Sequence, residues 1–325
     1  MMRQSSPRLL AIGGREWALL GAAILASIVF SVASPYFATA GNAATIARNS
    51  TELMLAGLGM TLLLAMGSID VSIGILMGLA AIAVAHGLLA SVAPALGLLI
   101  GPAAGAVLGL VTALVVVLGR VPAIVGTLGL LGVYRMGIFA LLGGQWLSGL
   151  PVGLTQLLSS TIFGLPLSVI VIALAYLVVW LGLRRTPYGP HLLSIGNAEE
   201  KARLSGVPVA KVRIATFVIS GTLTGLAASF YVANYRNVEM AIGSTLALDA
   251  IAAVVLGGTS IMGGRCSLLG TALGVILLRI LQNGLLLIGV PSLWQPVVTG
   301  MVLIGVLALE MPASRIGEFK AKWMS

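Results

Sequence analysis

The sequence predicts an all-α protein, a polytopic membrane helix bundle of about ten transmembrane helices with both termini cytoplasmic. Three observations carry that reading. Of 325 residues, 59% are hydrophobic and only 8% charged, with a mean hydropathy of +1.11. A soluble domain is about 25% charged, so an ordinary cytosolic enzyme is excluded. The apolar runs are long and continuous, as in AILASIVF and SVIVIALAYLVVW, rather than alternating over about ten residues as in a β-barrel. Helices are the remaining way to satisfy backbone polar groups in lipid. Lys and Arg, finally, are segregated along the chain in a way that fixes orientation.

A spanning helix needs roughly 20 mostly apolar residues. On that measure the spans fall at 16–34, 50–67, 72–90, 95–118, 122–142, 162–183, 213–233, 246–263, 267–288 and 293–310. Breaks coincide with Pro35, Pro94, Pro122, Pro166, Pro187, Pro291, Gly143–Gly144 and Gly263–Gly264, which is turn chemistry. The first span follows Arg3, Arg8 and Arg15 and ends near SVA, but its apolar run from Trp17 to Ala33 exceeds the roughly 7–15 residues of a signal-peptide core. It reads as an uncleaved span. The chain then divides into a basic cytoplasmic N-terminus (1–15), one transmembrane domain (16–310) with a cytoplasmic loop at 184–212, and a basic cytoplasmic tail (311–325).

With the N-terminus inside, the inner segments hold Arg3, Arg8, Arg15, Arg120, Arg184, Arg185, Lys201, Arg203, Lys211, Arg213, Arg265, Arg315, Lys320 and Lys322. The outer loops hold only Arg48 and Arg236. That bias is the positive-inside pattern of a multi-pass membrane protein with both termini inside. It also accounts for the net charge of +9: the cations form a rim against anionic headgroups, so no nucleic-acid partner is implied. Trp17, Trp146, Trp180 and Trp294 fall at span ends, where amphipathic rings suit the interface. Trp146 and Trp294, both outside, also offer faces on which a sugar could stack. The 42 glycines include the spaced sets Gly101–Gly105–Gly109, Gly221–Gly225 and Gly270–Gly274, a pattern that lets helices approach closely.

Enzymatic motifs are absent. No GxxxxGK[ST], HExxH, CxxC or GxSxG occurs. His86 and His191 stand alone, and the single cysteine, Cys266, excludes a disulfide framework or a cysteine-rich metal site. The chain is expected to be no enzyme, with no cofactor and no metal of its own. Energy for uphill transport must come from an ion gradient or from another chain. An ion-coupled carrier places carboxylates in the membrane as relays, and the candidates are few: Asp70, Asp249 and Glu52. That carrier remains the alternative reading.

The longest inner loop reads RRTPYGPHLLSIGNAEEKARLSGVPVAKVR. Asn197 is expected to cap a short helix with Glu199 and Glu200 in its first turn, and Gly206 to stop it. Two turns of rigid helix outside the membrane would receive a push from a soluble partner, or simply lie against headgroups.

The segment Glu200–Gly206, EKARLSG, resembles the coupling motif of bacterial ATP-binding-cassette importer permeases, with Ala202 and Gly206 at matching positions and Lys201 departing from the small residue expected there. AMGSIDVSIGILMGL (65–79), RVPAIVGTLGLLGVYRMG (120–137), SIGNAEEKARLSGV (194–207), VVLGGTSIMGGRCSLLGT (254–271) and LQNGLLLIGVPSLWQ (281–295) are similar to the ribose-type carbohydrate-uptake permeases. Within that group, the stretch from Gly126 to Pro151 resembles the autoinducer-2 importer permease most, and the rhamnose importer permease next. The resemblance implies cytoplasmic ATPase subunits that bind ATP-Mg, a second permease subunit, identical or homologous, and a periplasmic solute-binding protein. It places Asn197, Glu200, Ala202, Arg203 and Gly206 against the ATPase.

Four polar residues at membrane depth are candidates for the path or for buried structure. Asp70 sits at a break, GSIDVSIG, where it would cap the next helix, pair with a buried Arg or line the path. Arg135 lies about thirteen residues into the fifth span, about 20 Å from its inner end at 1.5 Å per residue. Arg279 lies near the centre of the ninth. An Arg at the helix centre costs about 2.5–3.5 kcal/mol on the most lenient scale, which calls for a partner or a wet cavity. Asp70, Asp249, Glu239 and Glu52 are the available partners. GSIDVSIG and GGTSIMGGRCSLLG also suggest two related halves, both facing inside.

Overall fold

The structure, a computed structural model, describes residues 14–310. The two terminal segments, with Arg3, Arg8, Arg315, Lys320 and Lys322, lie outside the described residues. The described chain is a helix bundle. Its long elements are α1 (Gly14–Ala33), α2 (Ala40–Ala65), α3 (Ile73–Leu89), α4 (Pro94–Val117) and α5 (Ala123–Leu142). A short α6 (Gly153–Ser159) and α7 (Leu167–Arg185) follow, then α8 (Tyr188–Asn197), α9 (Glu199–Leu204) and α10 (Val209–Tyr235). The chain closes with α11 (Leu246–Leu256), α12 (Leu268–Leu287) and α13 (Gln295–Glu310). By length and composition α1, α4, α5, α7, α10 and α12 can each cross a membrane. The other four expected spans fall on α2, α3, α11 and α13, where α2 carries Arg48 and Glu52 and the others are shorter than 18 residues.

The core is built on α2, α3, α4 and α10. In α2 every residue from Leu55 to Ala65 is buried. α4 and α10 touch backbone to backbone along the glycine sets. A Cβ on Gly105 would meet the Gly221 carbonyl, and one on Gly109 would sit 2.6 Å from the Phe217 carbonyl. The set on α12 does the same against α11, where Gly270 meets the Gly257 carbonyl and Gly274 the Ala253 carbonyl. α1 packs on the far side of α12, with Phe30 against Gly284.

Segments assigned to one side by charge meet at one end of the bundle, and the two ends are called inner and outer after that assignment. At the inner end, Arg15 reaches the carbonyls of Val255 and Leu256 at 2.8 and 3.3 Å, and the Gly264 amide donates to the Ala65 carbonyl at 2.9 Å. At the outer end, two-residue strands β1 (Leu147–Ser148) and β4 (Asn237–Val238) pair antiparallel, Arg236 Nε donates to the Leu150 carbonyl at 2.8 Å, and Asn234 reaches the Arg48 carbonyl. Between them, β2 (Thr161–Ile162) and β3 (Leu165–Pro166) form a small hairpin before α7.

Several boundaries differ from the sequence reading. α2 begins ten residues before the expected 50, because Thr39 Oγ1 accepts the Asn42 amide and caps it there. The hairpin delays the start of the expected 162–183 span to Leu167. The eighth span does not run to 263: α11 ends at Leu256 after 11 residues. Gly258, Gly263 and Gly264 follow with φ of +96°, +88° and +79°, a region side chains disfavour. The turn 257–267 thus replaces half of a span, and residues 236–245 before α11 are non-helical apart from a strand pair. Irregular backbone of this kind is tolerated at membrane depth only when buried in protein or lining a cavity. Here Gly243 lies against the Gly74 backbone and Val238 and Ile242 are buried.

Candidate path and cytoplasmic contact segment

Two sites emerge, a polar network toward the outer end and a helical segment at the inner end.

In the network, Asp249 Oδ1 accepts from Thr299 Oγ1 at 3.0 Å and from Gln282 Nε2 at 3.3 Å. Gln282 Oε1 accepts from Arg279 Nη1 at 2.8 Å. Arg279 stands within electrostatic reach of both Asp249 and Glu52. Glu52 Oε1 in turn accepts from Asn234 Nδ2 at 2.8 Å, and Asn234 also reaches Thr51 Oγ1. Five helices, α2, α10, α11, α12 and α13, each supply a polar group. The structure therefore brings two of the four candidates, Asp249 and Arg279, to one place and adds Glu52, Asn234, Gln282 and Thr299. Sequence reasoning named Glu52 as a partner for Arg279. It missed Gln282 and Thr299, since nothing in a single sequence marks an uncharged residue as a ligand of a buried carboxylate. Arg279 Nε and Asn283 Oδ1 are buried with no hydrogen-bond partner among the described residues.

Asp70 belongs elsewhere. Its Oδ1 accepts the Ser72 amide at 2.8 Å and the Ser72 hydroxyl at 2.6 Å, in the buried break before α3. The break is held by Thr127 on α5, whose Oγ1 accepts the Val71 amide and donates to the Ile69 carbonyl. These contacts form a turn that leads into α3, whose N-cap is Ser72 rather than Asp70.

Arg135 is exposed on α5, with no hydrogen bond or ion pair to a described residue. It lines an open cleft with Gly132, Met136 and Phe139, whose far wall is Met240 and Ala241. Val133, Met136 and Phe139 on the same helix are all at least half exposed.

At the inner end the expected two turns of helix are two helices. α8 is the addition: Pro187 precedes its first residue and Pro190 falls in its first turn, where a missing N–H is harmless. Asn197 is not an N-cap. It is the last residue of α8 and donates to the Leu193 carbonyl at 3.0 Å, while Ala198, extended at φ −165°, separates α8 from α9. Gly206 does stop α9. At φ +82° it donates to the Arg203 carbonyl at 3.0 Å, and Val207 donates to the Ala202 carbonyl at 3.1 Å, the paired bonds of a Schellman motif. Ala202 is buried beneath the helix; Glu200, Arg203, Leu204 and Gly206 face outward, Leu204 at 80% exposure. Glu199 binds Arg203 at 3.2 Å and Arg213 on α10 at 2.7 Å. Tyr188 Oη pairs with Thr216 Oγ1 on α10 at 2.9 Å, and burial pushes its phenol up to about 12.

Cys266 sits in the turn 257–267, where burial pushes its thiol up to about 12, so Arg265 beside it does not make it a thiolate. Among the described residues no group of three His, Cys, Asp or Glu is placed to hold a metal.

Residues 42–307 match the family of the branched-chain amino acid transport system permease component. The ribose import permease protein of Bacillus subtilis is 34% identical over 297 residues, 91% of this chain and 92% of that protein. The autoinducer 2 import system permease protein of Klebsiella pneumoniae is 37% identical over 297 residues, 91% of this chain and 86% of that protein. That of Yersinia pseudotuberculosis serotype O:1b is 33% identical over 259 residues, covering 79% and 74%. No solved structure matches. The chain belongs to this permease family, a multi-pass integral membrane protein.

Proposed function

We propose that this chain is the transmembrane permease subunit of an ATP-binding-cassette importer in the bacterial inner membrane, forming part of the path for a sugar-like solute. The family description names branched-chain amino acids, while the relatives that span nine-tenths of this chain are named for ribose and autoinducer-2 import. Near-full-length likeness weighs more than the heading of a broad family, so ribose, autoinducer-2 or rhamnose class solutes are the ones to test.

The observation that carries the reading is α9. A six-residue helix with its buried Ala202 and Schellman stop is held rigid outside the spans while Glu200, Arg203 and Leu204 face outward. Such a helix suits docking on an ATPase chain, which would bind ATP-Mg and supply the energy; this chain supplies shape. Asn197, Glu200, Ala202, Arg203 and Gly206 form that segment. A second permease chain would face the α5 cleft, because an exposed Arg135 facing lipid would cost about 2.5–3.5 kcal/mol or more. Arg135 then lines the path, and the network of Asp249 and Arg279 forms its outer station. A periplasmic binding protein would deliver the solute.

The test is reconstitution with candidate ATPase and binding-protein chains from the same genome. ATP-dependent uptake of labelled ribose, rhamnose or autoinducer-2 into proteoliposomes is expected, with none from the permease alone. Uptake by the permease alone, driven by a proton or sodium gradient, would make it a secondary carrier.

A further inference from the structure

The turn 257–267 is gripped from three sides. From α1, Arg15 donates to the Val255 and Leu256 carbonyls that close α11, while Glu16 Oε1 accepts from Ser267 Oγ, the N-cap of α12, at 3.0 Å. A cation thus meets a helix C-terminus and an anion meets a helix N-terminus, both favourable against the helix dipoles. From α2, the Ala65 carbonyl accepts the Gly264 amide at 2.9 Å. From α8, Gly196 lies directly on the turn. A Cβ on Gly196 would sit 2.5 Å from Gly264 N and 3.1 Å from Ala65 C, and one on Gly263 would sit 2.8 Å from Gly196 Cα.

These contacts differ in stiffness from the others that α8 and α9 make. Tyr188–Thr216 and Glu199–Arg213 run through long side chains, which rotate to absorb displacement. At Gly196 backbone bears on backbone, and nothing between can yield.

Accepting that α9 docks on an ATPase, we infer that Gly196 is the positioning residue that passes the movement of α8–α9 into the spans. It bears at once on the inner end of α2 and on the turn that joins α11 to α12, with Arg15 and Glu16 anchoring that turn from the opposite face.

The experiment uses the complete importer in lipid and three variants: Gly196→Ala, Arg15→Gln and Gly206→Leu. Three quantities are read: copurification of the ATPase chain, thermal stability, and stimulation of ATP hydrolysis by the binding protein loaded with whichever of ribose, rhamnose or autoinducer-2 is taken up. Gly196→Ala, whose Cβ overlaps the Ala65 carbonyl, should melt below wild type but keep the ATPase bound, and at temperatures where the complex stays folded it should lose stimulation by at least about fivefold, the low end of coupling free energies. Should Gly196→Ala fail to insert, Arg15→Gln, which adds no atoms to the contact, carries the same expectation. Full stimulation and uptake in the folded variants would overturn the relay. Gly206→Leu separates the two ideas: normal ATPase copurification there refutes docking at α9 itself, whereas a defect there with Gly196→Ala and Arg15→Gln both normal refutes only the relay.

Discussion

Replacing Gly105 by Ala tests whether the α4–α10 seam is a true backbone contact. The new Cβ would lie 2.7 Å from Gly225 Cα and 2.8 Å from Gly225 N, besides meeting the Gly221 carbonyl. Optimal separation begins near about 3.5 Å, so the shortfall against Gly225 Cα is about 0.8 Å, and it is larger against the Gly221 carbonyl. The obstacles are backbone atoms of a buried helix and cannot swing aside. α4 must therefore move as a body, and the neighbouring contacts at Gly101 and Gly109 open with it. A gap of about 0.5–1 Å forfeits a quarter to a half of each contact's attraction. Overpacking of this kind costs about 1–3 kcal/mol, while Ala regains up to about 1 kcal/mol over Gly in helix propensity. The net expectation is a loss of about 0–2 kcal/mol against wild type and about 1–3 kcal/mol against a Gly→Ala control that gains the same propensity without the overlap. Gly129→Ala on α5 is the control, since its Cβ meets nothing within 4 Å. Melting is read in detergent with a fluorogenic maleimide on Cys266, the only cysteine. If Gly105→Ala melts at or above Gly129→Ala, the seam is looser than described and the reasoning fails.

Four further outcomes are expected. Gly206→Leu should leave the spans folded but lower ATPase copurification and sugar uptake, with Gly206→Ala milder though still strained at φ +82°; full activity in the Leu variant would make the loop a bland connector. Arg279→Leu should depress yield, stability or uptake, because Gln282 Oε1 loses its donor and Asp249 and Glu52 lose a nearby cation, an uncompensated polar loss of about 1–3 kcal/mol; a wild-type result in all three measurements removes Arg279 from the network. Reporter fusions at Ser325 and within 143–155 should report opposite sides, and a periplasmic Ser325 would break the topology. Because burial pushes the Cys266 thiol up to about 12, the thiolate is scarce below that pH, and maleimide labelling of the folded protein should stay slow from pH 7 to 9; labelling at the rate of a free thiol near pH 8.5 would show the turn to be open.

The glycine sets were legible because their job depends on spacing alone: four-residue steps put Gly101, Gly105 and Gly109 on one face wherever the helix sits. The grouping of segments at two ends was legible for a similar reason, since Lys and Arg mark the segments that share a side. Boundaries were less so. Apolar composition continues through Gly257 and Gly258, so no hydropathy window sees α11 stop at Leu256; the stop depends on positive φ and on Arg15, 240 residues away, taking the terminal carbonyls. Asn197 fitted an N-cap pattern equally well, but Pro187 and Pro190 start a helix that uses Asn197 as its end instead. Arg279 and Asp249 announced themselves by charge. That they meet through Gln282 and Thr299 is a property of three helices, α11, α12 and α13, assembled.

α11 and α12 carry part of the polar network and the turn on which α8 rests, which bears on how the two ends of the molecule communicate. Near the outer end of this pair lie Asp249, Arg279 and Gln282; at its inner end lies the turn 257–267. Between them Gly257 rests on Gly270 and Ala253 on Gly274, backbone to backbone. Two helices so closely joined have few side chains at the seam to repack, so a displacement of the turn moves them together rather than shearing one past the other. The Asp249–Gln282 bond, which spans the pair, would survive such a movement. The bonds that leave it, from Thr299 on α13 to Asp249 and from Gln282 to Thr299, set the boundary at which the network must part. Rigid pairing of α11 and α12 therefore predicts that Thr299→Val, which removes only bonds that part in the movement, is tolerated better than Gln282→Leu, which also unties Asp249 from α12. Uptake lost in Thr299→Val but kept in Gln282→Leu, with both proteins fully folded, would show that the two helices do not move as one body.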